Sequence, residues 1–275
     1  MSIKKYFKPT DFFRFIKVLI TNRRIIFQLV EKDTMNQYLG SFLGIVWAFI
    51  QPMFFIGAIW FVFSTGLRGN RMSGEVPFLL YLLSGMIVWN FFSTCLTSAE
   101  TSISQHRYLV TQMVFQVSIL PVVKILSSAI VHFFFLVLTI ILFAVHGYFL
   151  DIYALQLVYY LFATFVLVLG LSWITSSVVL FFRDLSQITQ IIVRIGFWFT
   201  PIFWNIDKIP LQYQAIVKLN PVFYLVNGYR DCLIYKIWFW HRLNLTTYFW
   251  VVTLIIFVCG SILFRRLKPH FADVL

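Results

Sequence analysis

Arg194 is the residue whose chemistry is hardest to accommodate. It alone interrupts the run Leu185–Ile206, ten residues before Trp204 and eleven after Arg183. A guanidinium is permanently charged and carries five N–H donors, a geometry suited to phosphate or carboxylate. At the centre of an apolar helix it costs about 2.5–3.5 kcal/mol on insertion scales. With about 1.5 Å per residue it lies roughly 15 Å from either end, too deep for an easy snorkel. It therefore faces a pore, where water or an anionic phosphate pairs it, or it is held by a carbonyl or a partner acid. The sequence leaves both open. Arg183-Asp184 is the second charged point. Neighbours in a helix do not face each other, so Asp184 is expected to cap the next helix as D-L-S-Q, with Gln187 three residues on. Arg183 then meets either the last carbonyls of the preceding helix or phosphate headgroups.

The other ionisable groups exclude several chemistries. The ten acids, Asp11, Glu31, Asp33, Glu75, Glu100, Asp151, Asp184, Asp207, Asp231 and Asp273, stand at the ends of apolar runs. Ion-coupled carriers need carboxylates or polar broken helices inside the membrane. His132 is the one further ionisable group well inside a run, and a packed neutral ring accounts for it. No G-x-x-x-x-G-K-[ST] loop, H-E-x-x-H or Cys/His cluster occurs, so neither nucleotide nor metal is expected on this chain. Cys95, Cys232 and Cys259 lack metal-like spacing, and Cys95 and Cys259 are expected as small packing residues. The chain reads as a conduit driven by another polypeptide, not an enzyme.

These side chains must be positioned by membrane helices. The 275 residues are 60% hydrophobic, 20% aromatic and 12% charged, against about 25% charged in soluble domains. The fold class is an all-α integral membrane protein. Uncharged runs cover Thr34–Leu67, Val76–Ala99, Ile125–Leu150, Ile152–Phe182, Leu185–Ile206 and Leu243–Phe264. A crossing needs about 20 residues, so six transmembrane helices are expected. The net charge of +12 belongs to the positive-inside rule and not to nucleic-acid binding. With both termini inside, the inner face takes fourteen Lys/Arg and the outer face seven. Met1 to Lys32 carries charge throughout, so no cleavable signal peptide is expected.

Three further segments are distinct. In residues 1–33, Arg14, Lys17, Thr21, Arg24, Gln28 and Glu31 recur at steps of three and four, one polar face of an amphipathic cytoplasmic interface helix. It is either a lipid anchor or a ledge for a soluble partner. The loop at about 100–117 leads through a short inner-face helix to Pro121, near the start of span three. The outer segment at about 205–242 is punctuated by Pro210 and Pro221 and reads as outer-leaflet half-helices before the last span. Its cations Lys208, Lys218, Arg230, Lys236 and Arg242 are either a solvated surface or a positive mouth for an anionic glycan. One membrane domain, 34–264, is followed by a cytoplasmic tail, 265–275.

Several motifs carry a family likeness over nearly the whole chain. Y-L-G-S-F-L-G-I-V-W at 38–47 with Gln51-Pro52, Phe182-Arg-Asp-Leu185, Thr200-Pro-Ile-Phe-Trp204, Asn220-Pro221 and Phe271-Ala-Asp-Val-Leu275 occur in order. In this the sequence resembles the transmembrane permeases of ABC-2-type polysaccharide exporters, which move O-antigen, capsule or wall teichoic acid chains. It departs where the family often has a basic residue and a proline around Phe115, since Gln112 and Gln116 stand there.

The resemblance implies a homodimer with two copies of a separate nucleotide-binding ATPase, which would hold ATP and Mg, and a glycan on a polyprenyl diphosphate lipid in the bacterial cytoplasmic membrane. It implies ATPase coupling through Glu100, Gln105, Arg107, Gln112 and Phe115, with Arg14 and Arg24 on the interface helix. It also favours a channel lined by Phe42, Trp47, Phe54, Trp60, Phe197, Trp198, Phe203 and Trp204, with Arg194 and Arg183 as pore or phosphate-binding charges. Taken singly, each aromatic reads better as facing lipid or an interfacial belt, and only the two spans together read as a lining. The rival readings are an ABC-2 permease for a drug or another small hydrophobic substrate, and a membrane-embedded glycan-lipid transferase.

Overall fold

The computed structural model describes residues 9–36, 43–62, 71–73, 76–111 and 116–275. The described residues are mostly helical, with a short antiparallel pair, β1 (Arg71–Ser73) and β2 (Val76–Pro77). The amphipathic segment forms two helices, α1 (Pro9–Thr21) and α2 (Arg23–Asn36), rather than one. Asn22 lies between them, and its side-chain amide donates to the Val18 carbonyl at 2.9 Å. Such local bonding by Asn competes with helix continuation. Helix α3 (Trp47–Phe61) follows with Pro52 inside it. Next come α4 (Phe78–Glu100), the short α5 (Ser102–Gln105) and α6 (Arg107–Thr111), and α7 (Leu120–Val145), with Pro121 in its first turn. Helices α8 (Gln156–Val179), α9 (Leu185–Phe199), α10 (Leu211–Lys218), α11 (Pro221–Arg230), α12 (Leu243–Leu267) and α13 (Phe271–Val274) complete the chain.

Among the described residues, five helical stretches are long and apolar enough to cross a membrane: Gly44–Phe61, Phe78–Glu100, Val117–Val145, Ile152–Val179 and Phe239–Val274. Helix α9, expected as a full crossing, has 15 residues, about 22 Å of rise against a hydrocarbon core of about 30 Å. Pro201 explains the shortfall, since it has no N–H with which to continue the ladder.

Helix α4 is buried nearly all round and forms the centre of the core, packed by α7, α8 and α11. Helices α8 and α12 cross closely. A Cβ at Gly260 would stand 2.4 Å from the Gly170 carbonyl oxygen, and one at Gly170 would stand 2.9 Å from the Phe257 Cα. Small residues let two backbones meet in this way. Gly260→Ala must push the helices apart against backbone and not against a flexible side chain. We expect it to lower stability by about 1–3 kcal/mol, the usual range for overpacking. A thermal scan of the detergent-solubilised protein checks this, and Cys259→Ala, at the neighbouring exposed position, should leave the midpoint unchanged.

Two expectations on ionisable residues are corrected. Asp184 precedes α9 but has helical backbone angles and no side-chain capping bond. The chain turns too tightly after Phe182 for its carboxylate to reach back over the first N–H groups. Lys124, expected to bound span three, lies inside α7 and is 4% exposed. It is ion-paired to Asp33 of α2, and it also donates to the Gln105 side-chain oxygen at 2.6 Å. Ile26 and Val30 of α2 are buried against Ile119 and Val123 beside that pair.

Candidate functional site

The most elaborate polar construction surrounds the end of α9. Thr200 leaves the helix in an extended conformation, and the carbonyls beyond it lose their helical donors. Those of Pro201, Ile202 and Trp204 are met by side chains from elsewhere. Arg230 donates to the Pro201 and Ile202 carbonyls, both at 2.6 Å. Tyr81 donates to the Trp204 carbonyl at 3.0 Å. Thr200 donates to the Gly196 carbonyl at 2.7 Å and accepts from the Asn220 amide at 2.9 Å. Irregular backbone at membrane depth requires such internal satisfaction.

Arg230 itself is 1% exposed, so it does not belong to a solvated outer surface as its place in the cation cluster suggested. Its guanidinium sits 3.7 Å from the centroid of the Tyr81 ring, and Gly85 leaves the space it occupies. The next residue, Asp231, is also buried and binds Arg242 through Nε at 2.7 Å and Nη2 at 3.0 Å. Of the five cations, Lys236 meets Asp151 at the surface. The Asp151 carboxyl is held below its usual range first by the Ile152 backbone N–H and then by Lys236.

The predicted aromatic residues divide. Trp47, Phe54, Trp60 and Trp198 are exposed, Phe54 at 76% and Trp198 at 63%. Phe197 and Phe203 are buried instead, in a ring cluster with Trp89. Trp204 is half-buried, its indole donating to the Trp198 carbonyl at 3.1 Å. Phe55 of α3 touches Phe197, which brings α3 beside α9. Arg194 and Arg183 are both exposed. Sequence reasoning missed that Gln187 and Gln190 are exposed with Arg194. Their spacing of three and four residues puts all three on one face of α9.

Residues 24–234 match the family described as ABC-2 type transporter. The chain belongs to the ABC-2 type transporter family. Two relatives from Klebsiella pneumoniae, each an O-antigen export system permease protein RfbA, are similar to it. One is 26% identical over 100% of both chains, and the other is 24% identical over 90% of this chain and 93% of its own. The protein of the same name from Myxococcus xanthus is 25% identical over 84% of this chain and 86% of its own. This ABC-2 chain is therefore a multi-pass membrane subunit of a transporter.

At the other end of the ABC-2 chain, Glu100 is 2% exposed and accepts from the Thr189 hydroxyl at 3.0 Å. It thus ties the end of α4 to the first turns of α9. Gln105 reaches Lys124, while Arg107 opens α6 and is exposed, as is Arg24 on α2. Arg14 lies on α1. Phe42, Gln112 and Phe115 lie outside the described residues. Among the described residues, no group of three or more His, Cys, Asp and Glu could hold a metal.

Proposed function

We propose that the chain is the permease subunit of an ATP-driven exporter that moves a lipid-linked polysaccharide, of O-antigen, capsule or teichoic acid type, across the bacterial cytoplasmic membrane. It works as a homodimer with two copies of a separate ATPase, and ATP and Mg bind on those copies. Six crossings follow if α9 and the outer half-helices together make the fifth, with both termini in the cytoplasm. The α1–α2 pair and the 100–117 loop then form the ATPase contact through Gln105, Arg107, Gln112 and Phe115, joined by Arg14 and Arg24, while Glu100, buried against Thr189, links that contact to α9 from behind.

One observation carries the reading: the wall made by α3 and α9. Helix α3 exposes Trp47, Phe54 and Trp60, α9 exposes Trp198, Gln187, Gln190 and Arg194, and the two helices meet at Phe55 and Phe197. A charge and two amides turned outward are costly against lipid. Opposite a second copy they would line a wet channel. Ring faces there accept the C–H faces of sugars without demanding one hydroxyl pattern, and the guanidinium pairs with a passing diphosphate. Phe42 would extend this lining, while Arg183 would meet the phosphate at the inner entrance. Phe197, Phe203 and Trp204 would stiffen the wall from behind.

The test is ATP hydrolysis by the chain reconstituted with its ATPase in proteoliposomes. Polyprenyl-diphosphate glycans are expected to stimulate turnover several-fold. Stimulation by small hydrophobic drugs, with none by any glycan lipid, would replace this reading with that of a drug permease.

A further inference from the structure

A recess of about 180 Å³ opens between α3, α4 and α7, midway along α4 and α7 and apart from the end of α9. A cavity of about 150 Å³ accepts benzene, so one six-membered ring fits. Its polar lining is Gln51, Asn90, Thr94, Ser128 and His132, and Phe91 and Phe135 close its apolar sides. Among the described residues, no Asp, Glu, Lys or Arg lines it.

These polar groups are poorly served by the protein. Among the described residues, the side chains of Gln51, Asn90 and Thr94 make no hydrogen bond. His132 is 3% exposed and shares a hydrogen bond with the Tyr229 hydroxyl through Nε2 at 3.0 Å. Its Nδ1 has no partner, although the Ile87 backbone approaches the ring without hydrogen-bond geometry. Pro52, on the recess wall, removes the helical donor of the Ala48 carbonyl, which lies on the same wall. Ser128 donates to the Lys124 carbonyl and keeps its acceptor lone pairs. Unmatched donors and acceptors at membrane depth call for a bound polar species. The want of formal charge selects a neutral one. The Gln51 and Asn90 amides and the Thr94 hydroxyl offer both donors and acceptors, as vicinal hydroxyls require. Phe91, stacked on His132 at 4.5 Å, supplies an apolar floor.

We propose that this recess binds one neutral polyhydroxylated group, either a sugar ring of the cargo or the hydroxylated headgroup of a membrane lipid. The sugar-ring source rests on the glycan-export reading, whereas the recess does not. Thr94→Cys places a thiol on the exposed rim, with Cys259→Ser removing the exposed native thiol. The full chain in lipid nanodiscs is then treated with a methanethiosulfonate reagent. The additions are octyl glucoside, an alkyl glycerol ether or octanol, each below its micelle concentration.

Octyl glucoside at ten times its dissociation constant should slow labelling about tenfold, the factor 1 + [L]/Kd. Asn90→Leu or His132→Phe should abolish the protection. Protection by the glucoside alone assigns a sugar ring, and equal protection by the glycerol ether assigns a lipid headgroup. No protection, equal protection by octanol, or a thiol that never labels overturns the site. Should Thr94→Cys fail to fold, saturation-transfer NMR of octyl glucoside on the unmodified chain decides the question, and absence of transfer overturns the site. Protection without glycan-stimulated ATP hydrolysis leaves the site standing and removes the export reading. The opposite pair of results does the reverse.

Discussion

Arg230→Ala is expected to cost the protein its folded form. The substitution strips the donors from the Pro201 and Ile202 carbonyls, at a point where backbone has left the α9 ladder and no helical N–H replaces them. Each buried acceptor left unmatched costs about 1–3 kcal/mol, and the cation stacked on Tyr81 is lost as well. The sum, about 2–6 kcal/mol for the two carbonyls, rivals the whole stability of an ordinary domain, about 5–15 kcal/mol. Arg230→Lys should recover only part of this, because an ammonium is a point donor and cannot fork onto two successive carbonyls. Gly85→Ala should act in the same direction and more gently, since its Cβ would stand 3.0 Å from the Arg230 Nη2. Size-exclusion profiles and thermal midpoints of the four proteins give the answer. A monodisperse Arg230→Ala protein with an unchanged midpoint contradicts the role given to this residue.

Arg194→Ala should have the opposite character, with loss of transport and retention of structure. The side chain is exposed, so its removal leaves no cavity within the fold. If it pairs with a diphosphate in the proposed channel, the variant forfeits a charged hydrogen bond worth about 1.5–3 kcal/mol, on the order of tenfold or more in export rate. Arg194→Lys keeps the charge and should retain part of the rate. Glycan appearance at the cell surface measures the first effect, and cross-linking of the purified chain measures assembly. Collapse of the assembly with Arg194→Ala would instead identify the guanidinium as a structural tie between copies.

The sequence exposed the membrane class and the long apolar helices, because these follow from residue type and run length. It misplaced Arg230 because counting cations treats each as a surface charge. Nothing local marks one that folds back on carbonyls 28 and 29 residues earlier. The seat for that side chain was visible only as Tyr81 and Gly85, four residues apart and so on one face of α4. That spacing has no meaning until the partner is known. Phe197 and Phe203 were indistinguishable from Trp198 by composition, and only the fold turns two of them inward. Asp184 carried a capping pattern, but the tight turn after Phe182 withheld the geometry.

The two kinds of helix also differ in compliance. Helices α4, α7, α8, α11 and α12 interlock, with Gly170 and Gly260 fixing one crossing almost at backbone contact, and they form a stiff frame. By contrast, α3 buries only Ala48 and Ile56, and α9 only Thr189 and Phe197. Sparse burial lowers the free energy of local displacement. Thr189 is also where the Glu100 tether grips α9, on its second turn, with the Arg230 clamp at its far end. A helix pinned at both ends and loosely backed between them can bow or roll without melting. A tug on the end of α4 would then reach the outer clamp as a rotation of the α9 face rather than as a translation of the whole bundle.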